Sequence, residues 1–391
     1  MMSPHSNLSF DNTEVAFKSK SNAALRKASW LFKSFDFPIT LSWGPTLAKI
    51  TVTLGLKALI KNTIFEQFCG GETIAECDTA IKKLSQSGIG TILDYSVEGA
   101  ETAEAFDHTT EETISTIKKA KGNSDIPFSV FKVTGIVESD ILQKVTEKKQ
   151  LSESEVNKWE TGRSRFFKIC EAAAQNNVRL FIDAEETWLQ EAIDRLAEEA
   201  MHKYNTSRAI VYNTLQMYRH DRLQYLKDQI ESTDYFLGFK IVRGAYMEKE
   251  RKRAQQMGYP DPIQPDKEAT DKDYDQAVAI CIENANRIAI CIGTHNEKSS
   301  LLGVELMNNS GLDAKDEKIF FSQLLGMSDH ISFNLSHHGY NVAKYVPYGP
   351  VSAVIPYLTR RAQENSGMAG QMGRELGLIT KELNRRKQEK S

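Results

Sequence analysis

The stretch Val178–His202 reads VRLFIDAEETWLQEAIDRLAEEAMH, and it sets out one βα unit in 25 residues. Val178–Ile182 is a short, mostly apolar run of strand length. Asp183 ends it, and Glu185–His202 carries apolar residues at helical spacing. Seven further strand-like runs lie outward from it: Ile89–Leu93, Ser129–Val133, Ala209–Tyr212, Phe239–Val242, Ile288–Ile292, Ile319–Phe321 and Ala343–Val346. Most intervals hold a helical pattern, Ser152–Ala174 among them. Alternating strands and helices argue for parallel βαβ units, and eight of them predict a closed (βα)8 TIM-type barrel of the α/β class. The runs are continuously apolar rather than alternating, as strands covered on both faces should be. Residues 1–85 precede the first strand and read as an N-terminal helical appendage. The barrel is expected over 86–391, with a C-terminal helix over its mouth.

Composition narrows the function classes. A chain of 391 residues, 40% apolar and 26% charged, is an ordinary globular composition with a large core. A net charge of −3 gives no electrostatic case for nucleic-acid binding. Cys69, Cys77, Cys170, Cys281 and Cys291 are odd in number and contain no CxxC pair, which argues against a disulfide framework and a zinc site. The first 30 residues contain Asp11 and Glu14, a single Arg (Arg26) and no apolar core, so neither a secretory signal nor a mitochondrial presequence is expected. The most apolar stretch, Ile39–Ile60, is interrupted by Lys49, Thr53 and Lys57, which with Lys61 mark the polar face of an amphipathic helix rather than a membrane span.

The informative residues stand where the strands end. In order these are Asp94, Lys132, Asp183, Gln216, Arg243 with Tyr246, Thr294-His295-Asn296, Gln323 and Tyr345. One polar strand end is usually a cap, but eight in succession point to the carboxyl end of a barrel, where its active sites are built. Lys132 suits a Schiff base or a plain cation; His295 suits a general base, a cofactor hydrogen bond or a cap. After the eighth run, Pro356 is suited to open a helix over Tyr357–Asn365, YLTRRAQEN. That helix would align Tyr357, Arg360, Arg361 and Glu364 on one face, two guanidinium groups able to clamp a carboxylate or phosphate. As a merely solvated face, its Arg360–Glu364 pair would contribute only about 0.3–0.5 kcal/mol. Gly70-Gly71, Gly244 and Gly349 form no dinucleotide or P-loop fingerprint. His337-His338 has no carboxylate at helical spacing and no HExxH occurs, so no metal is expected.

Assembled, the motifs resemble those of the FAD-dependent proline dehydrogenase (monofunctional proline oxidase) family. They are ILDYSVEG (Ile92–Gly99), FKVTG (Phe131–Gly135), IDAEET (Ile182–Thr187), KIVRGAY (Lys240–Tyr246), THN (Thr294–Asn296), QLLGM (Gln323–Met327), KYVPYG (Lys344–Gly349) and YLTRRAQEN. The match runs from about Pro45 to Lys387, and its last motif is the most specific. The resemblance implies a distorted (βα)8 barrel with noncovalent FAD over the strand ends. The implied reaction is oxidation of L-proline to Δ1-pyrroline-5-carboxylate by hydride transfer to flavin N5, the first step of proline catabolism to glutamate. Electrons would pass to a membrane quinone, and a separate pyrroline-5-carboxylate dehydrogenase would act downstream.

Carried over position by position, the implied substrate residues are Lys132, Leu325, Tyr345, Tyr357, Arg360, Arg361 and Glu364, with Asp94 and Glu98 closing the site. The implied flavin residues are Asp183, Ala184, Gln216, Arg243, Ala245, Tyr246, Thr294, His295, Asn296, Gln323, Arg361 and Glu364, with Asp183, Lys240 and Arg243 as the catalytic charges. Bifunctional bacterial members carry Arg then Lys where this chain has Lys240 then Arg243, which leaves open which cation stands nearest the flavin. No aldehyde dehydrogenase half is expected. Tyr345, where hydroxyproline-preferring members tend to carry a small residue, implies a preference for proline over trans-4-hydroxy-L-proline. The expected location is cytoplasmic, peripheral on the inner face of the cytoplasmic membrane, the alternative being the matrix side of the mitochondrial inner membrane. A Schiff-base barrel lyase using Lys132 and a noncatalytic anion-binding scaffold are the competing readings. Flavin absorbance separates both from the oxidase.

Overall fold

In a computed structural model of the chain, the described residues are 8–35, 64–97, 101–354, 356–358 and 369–389. Eight strands are present: β1 Ile89–Tyr95, β2 Phe128–Lys132, β3 Arg179–Asp183, β4 Val211–Gln216, β5 Leu237–Val242, β6 Ile288–Gly293, β7 Ile319–Leu324 and β8 Val342–Tyr348. Their order closes on itself, β1 to β8, in a parallel barrel as the alternating pattern predicts. The strands run past the expected bounds at several ends, and two consequences bear on the site. Gln216 is the last residue of β4 rather than a loop residue beyond it, and Tyr345 sits in the middle of β8 rather than at its end. Every residue of β4 and β8 is buried. Backbone hydrogen bonding along the ladder therefore carries strand character further than β-branched composition shows.

The chain divides into two compact units. Residues 99–321 hold β2 to β6 with their flanking helices: α4 Ala103–Ala120, α5 Ser139–Thr146, α6 Glu153–Asn176, α7 Thr187–Tyr204, α8 Arg222–Ser232, α9 Met247–Met257, α10 Lys267–Glu283 and α11 Glu297–Asn309. Their ends follow local chemistry. Ser152 and Glu155 form a reciprocal capping box that starts α6, worth about 1 kcal/mol, and Asn177 closes it in the left-handed conformation at φ 56°. Glu185 and Glu186, expected to open the next helix, stay in the loop; α7 begins at Thr187. Fully buried Phe128, Phe181 and Tyr212 stack and meet edge-on as an aromatic core between strands.

Residues 1–98 and 322–391 form the other unit. It contains α1 Thr13–Phe17, α2 Asn22–Phe35, α3 Asp78–Ser85, β1 and β8 paired along their full lengths, α12 Asp329–His337 and α13 Ala369–Gln388. Phe17, Leu25 and Phe32 pack with Leu378 and Ile379 of α13 in one apolar cluster, so the N-terminal helices lie against the chain's last helix. The amphipathic segment Ile39–Ile60 and the helix expected over YLTRRAQEN fall outside the described residues, except for 356–358, whose backbone is helical. Among the described residues no helix is long and apolar enough to cross a membrane.

Candidate active site

Within residues 99–321 the strand ends are joined by three linked contacts. Side chains two apart on a strand share a face, so Asp183 stands above Phe181 on β3. Lys240, on β5, reaches both: its ammonium hydrogen-bonds Asp183 Oδ1 and lies 5.3 Å from the centre of the Phe181 ring. Only 6% of the Lys240 side chain and 15% of that of Asp183 is exposed, so each ion depends on the other for compensation.

Arg243, just past β5, is held on every donor edge. Its Nε donates to Asp271 Oδ1 (2.6 Å), Nη1 to Thr294 Oγ1 (2.8 Å) and Nη2 to Ser299 Oγ (2.9 Å). The guanidinium also lies over the ring of Tyr274, 4.2 Å from its centre. The Ser299 hydroxyl in turn donates to Asp275 Oδ1 (2.6 Å), and Asn296 accepts from the amides of Lys298 and Ser299 at the start of α11. Burial pushes the Asp271 carboxyl up, but hydrogen bonds from Lys267 and Arg243 outweigh it and hold it below its usual range. A planar cation gripped at this many points is oriented before any ligand arrives. Thr294 and Asn296 thus build the cap and hold the arginine; half-buried His295 stands between them.

The third contact runs through Gln216. Its amide donates to the carbonyl of Glu185 (2.7 Å) and accepts from the amide of Ala245 (3.3 Å), tying the loop after β3 to the loop after β5. Gly244 in that second loop has φ 132°, and a Cβ there would lie 2.5 Å from the Tyr218 ring. The VRGAY motif therefore needs its glycine for both conformation and space. Tyr246 opens α9, and Ala184 is buried.

Glu185 was not singled out from the sequence, although it lies inside the quoted IDAEET motif. Its carboxylate accepts from the backbone N–H (2.9 Å) and the hydroxyl of Thr134, pinning the turn that follows Lys132. Its own amide donates to Gln190 Oε1 (2.7 Å), which continues through Asp194 to Arg222. Only 3% exposed, its carboxyl is pushed by burial up to about 7, against the Thr134 hydrogen bonds and the Lys132 ammonium. Asp271, Tyr274 and Ser299 were also missed. They lie on helices, remote in sequence from the strand they serve, and only tertiary structure marks them.

In the unit of residues 1–98 and 322–391, Asp94 on β1 is buried and accepts from the Ser96 hydroxyl (2.7 Å). Gln323 on β7 accepts from Ser332 (2.7 Å), and the Leu325 amide donates to the Tyr345 carbonyl (2.8 Å), joining the turn after β7 to the middle of β8. Tyr357 is 4% exposed and belongs to the apolar cluster with Phe17 and Leu25. The sequence reading placed it on a mostly polar helix face, yet it and Leu358 are both core residues here. Glu98, Arg360, Arg361 and Glu364 lie outside the described residues. His337 and His338 end α12; His338 Nδ1 contacts the Asn334 carbonyl (2.8 Å), and no group of metal-ligating side chains occurs among the described residues.

Comparison with known proteins identifies the family. The family model for proline dehydrogenase matches residues 77–374. "Proline dehydrogenase 1, mitochondrial" of Dictyostelium discoideum is 34% identical over 388 residues, covering 86% of this chain and 67% of that protein. "Hydroxyproline dehydrogenase" of Xenopus laevis is 31% identical, covering 97% of this chain and 90% of the relative. The solved structure of proline utilization A (PutA) from Bdellovibrio bacteriovorus inactivated by N-propargylglycine aligns with TM-score 0.70 at 16% identity, a likeness of fold. It covers 92% of this chain, which spans 40% of that longer one. The chain belongs to the proline dehydrogenase family, oxidoreductases that act on proline.

Proposed function

We propose that this chain oxidises L-proline to Δ1-pyrroline-5-carboxylate with FAD as its cofactor and a quinone as electron acceptor. The observation that carries the reading is the preorganised cation pair at the end of β5, Lys240 on Asp183 and Arg243 on Asp271, Thr294 and Ser299. These donors fit a flavin, because fixed positive charge favours an electron-rich ring system. Asp183, Ala184, Gln216, Arg243, Ala245, Tyr246, Thr294, His295, Asn296 and Gln323 would hold it, with Arg361 and Glu364. Bound FAD supplies the acceptor for the hydride leaving the ring carbon beside nitrogen.

The protein's share is orientation. Lys132, Arg360 and Arg361 would clamp the carboxylate, each charge-assisted bond being worth about 1.5–3 kcal/mol. Leu325, Tyr345 and Tyr357 would shape an apolar slot for the ring methylenes, and Asp94 and Glu98 would close it. Of the two locations expected, the relative named mitochondrial favours the matrix side of the inner membrane, with peripheral contact to reach quinone.

The test is the purified protein's absorbance together with its turnover. A yellow protein that reduces a quinone or dye with proline, but not NAD, is expected. Its kcat/KM for proline should exceed that for trans-4-hydroxy-L-proline by at least about tenfold, because a pocket holding a tyrosine rejects added atoms. A protein still colourless after reconstitution with FAD would overturn the function. Equal turnover of both substrates would overturn the substrate choice.

A further inference from the structure

Lys344 is completely buried on β8, one residue before Tyr345, and no role above uses it. Its ammonium donates to the carbonyls of Leu324 (3.3 Å) and Met327, the two ends of the turn that carries Leu325, and pairs with Asp329 Oδ1 at 2.9 Å. The other Asp329 oxygen, Oδ2, pairs with Lys20 at 2.6 Å, from the link between α1 and α2. The same turn is gripped twice more. Gln67 donates to the Gly326 carbonyl (3.2 Å), and Glu375 of α13 accepts from the Ser328 amide (3.2 Å). Gly326 has φ 77°, and a Cβ there would lie 2.2 Å from the Gln67 carbonyl oxygen, so the turn sits hard against the N-terminal segment. Four parts of the chain, distant in sequence, thus converge on residues 324–329.

A turn with φ > 0 at Gly326 has little conformational preference of its own, and burying a lysine to cap its carbonyls is costly unless Asp329 compensates the charge. The groups facing the ammonium are Asp329 and, further out, Glu375 and Lys20. Asp329 gives its second oxygen to Lys20, so the cluster is complete only when the N-terminal segment is docked. The Leu325 amide is bonded to the Tyr345 carbonyl, so any shift of the turn moves both residues implied to line the substrate slot.

We propose that Lys20, Asp329 and Lys344 form a clip through which the N-terminal segment holds the Leu325 turn in its working position, and that Lys344 is a positioning residue for the substrate slot. This rests on the proposed proline oxidation only where its readout is kinetic. The clip acts on substrate fit and leaves the strand-end cations at β5 untouched.

Lys20 is the residue to change, because Lys344 still neutralises Asp329 without it and the fold should survive. Lys20→Met should raise KM for proline roughly five- to tenfold with kcat within about twofold, and Lys20→Arg should restore it. Hydrogen exchange at amides 324–329 should speed up in Lys20→Met and return in Lys20→Arg, whatever the enzyme turns over. Lys381→Met serves as the control. It removes a different bond to the N-terminal segment, from Lys381 Nζ of α13 to the Asp11 carbonyl (3.0 Å), without reaching the turn. Its KM should not move. A lower melting temperature for Lys20→Met with unchanged KM would reduce the clip to a structural pair and overturn the proposal, as would unchanged exchange. If the unmutated protein does not oxidise proline, the function fails separately, and exchange alone then decides whether the clip holds the turn.

Discussion

Two lysine–aspartate contacts in this molecule look alike on paper and differ in kind. Lys240 and Asp183 sit near the ends of two barrel strands, and 15% of the aspartate remains exposed. Their meeting needs little more than the period-two geometry of β-strands, and the charge they fix stands among strand-end residues. Lys344, Asp329 and Lys20 are exposed by 0%, 5% and 16%, and they join segments more than 300 residues apart. There the charge is spent on capping carbonyls and closing a charge balance. Burial pushes the Asp329 carboxyl up, yet the two ammonium groups hold it well below its usual range, whereas burial lowers Lys344 more than Asp329 restores. The lesson is that the surroundings of a buried ion pair decide its use: one standing among strand-end side chains is available to a ligand, and one whose ammonium caps backbone carbonyls is available only to the fold.

That contrast breaks if the two pairs respond alike to mutation. The largest stability effect should come from Lys344→Met, which takes the ammonium away from the Met327 and Leu324 carbonyls, Leu324 keeping the Met327 amide, and removes one of the two lysines that pair with Asp329. A loss of about 3–5 kcal/mol is expected by denaturant titration, with m unchanged. A loss below about 1 kcal/mol would show that the cluster is not the deeper commitment.

Next in size, Lys240→Met should cost less stability, about 1–3 kcal/mol, because Asp183 keeps some access to water. It should remove far more function, at least about a hundredfold in kcat, with weakened flavin retention read from absorbance after dialysis. Full activity in Lys240→Met would leave Arg243 as the sole working cation at that strand end. It would also bear on which of the two cations stands nearest the flavin, the question left open by the sequence.

The smallest effect concerns Glu185, a buried carboxyl that accepts twice from Thr134. Burial raises its carboxyl from the ordinary 4.5 to about 7, so the folded protein holds the proton more tightly. The resulting stabilisation is complete below about pH 4.5 and is lost as pH rises through about 7. Glu185→Gln keeps both bonds to Thr134 and does not titrate. It should therefore flatten the stability change between pH 5 and 8, measured as melting temperature at each pH. An unchanged slope would assign the titration to another group.

Much of this was legible beforehand for identifiable reasons. β-branched runs and helical spacing are local, and eight runs with a helical pattern in most of the intervals point to a closed barrel. Asp183, Gln216, Arg243 and Thr294 stand at or beside strand ends, a place the alternation itself marks. Asp271, Ser299 and Tyr274, which hold Arg243, were illegible because helical positions carry no sign of which strand end they will face. Tyr345 misled in the opposite direction. Its polar ring suggested a strand end, but pairing with β1 continues through Tyr348, since a neighbouring strand extends a ladder past the residues that favour it.

What the sequence by itself determined is the parallel (βα)8 order and the identity of the groups at the β3, β4 and β5 ends, because strand period and strand order are properties of neighbours along the chain. Only the tertiary structure decided that Glu185 pins the turn after Lys132, that Arg243 is gripped from two helices, and that Lys20 reaches the partner of a lysine 324 positions away. Such contacts join residues whose separation along the chain has no period, and a charge finds its partner only once burial makes water unavailable.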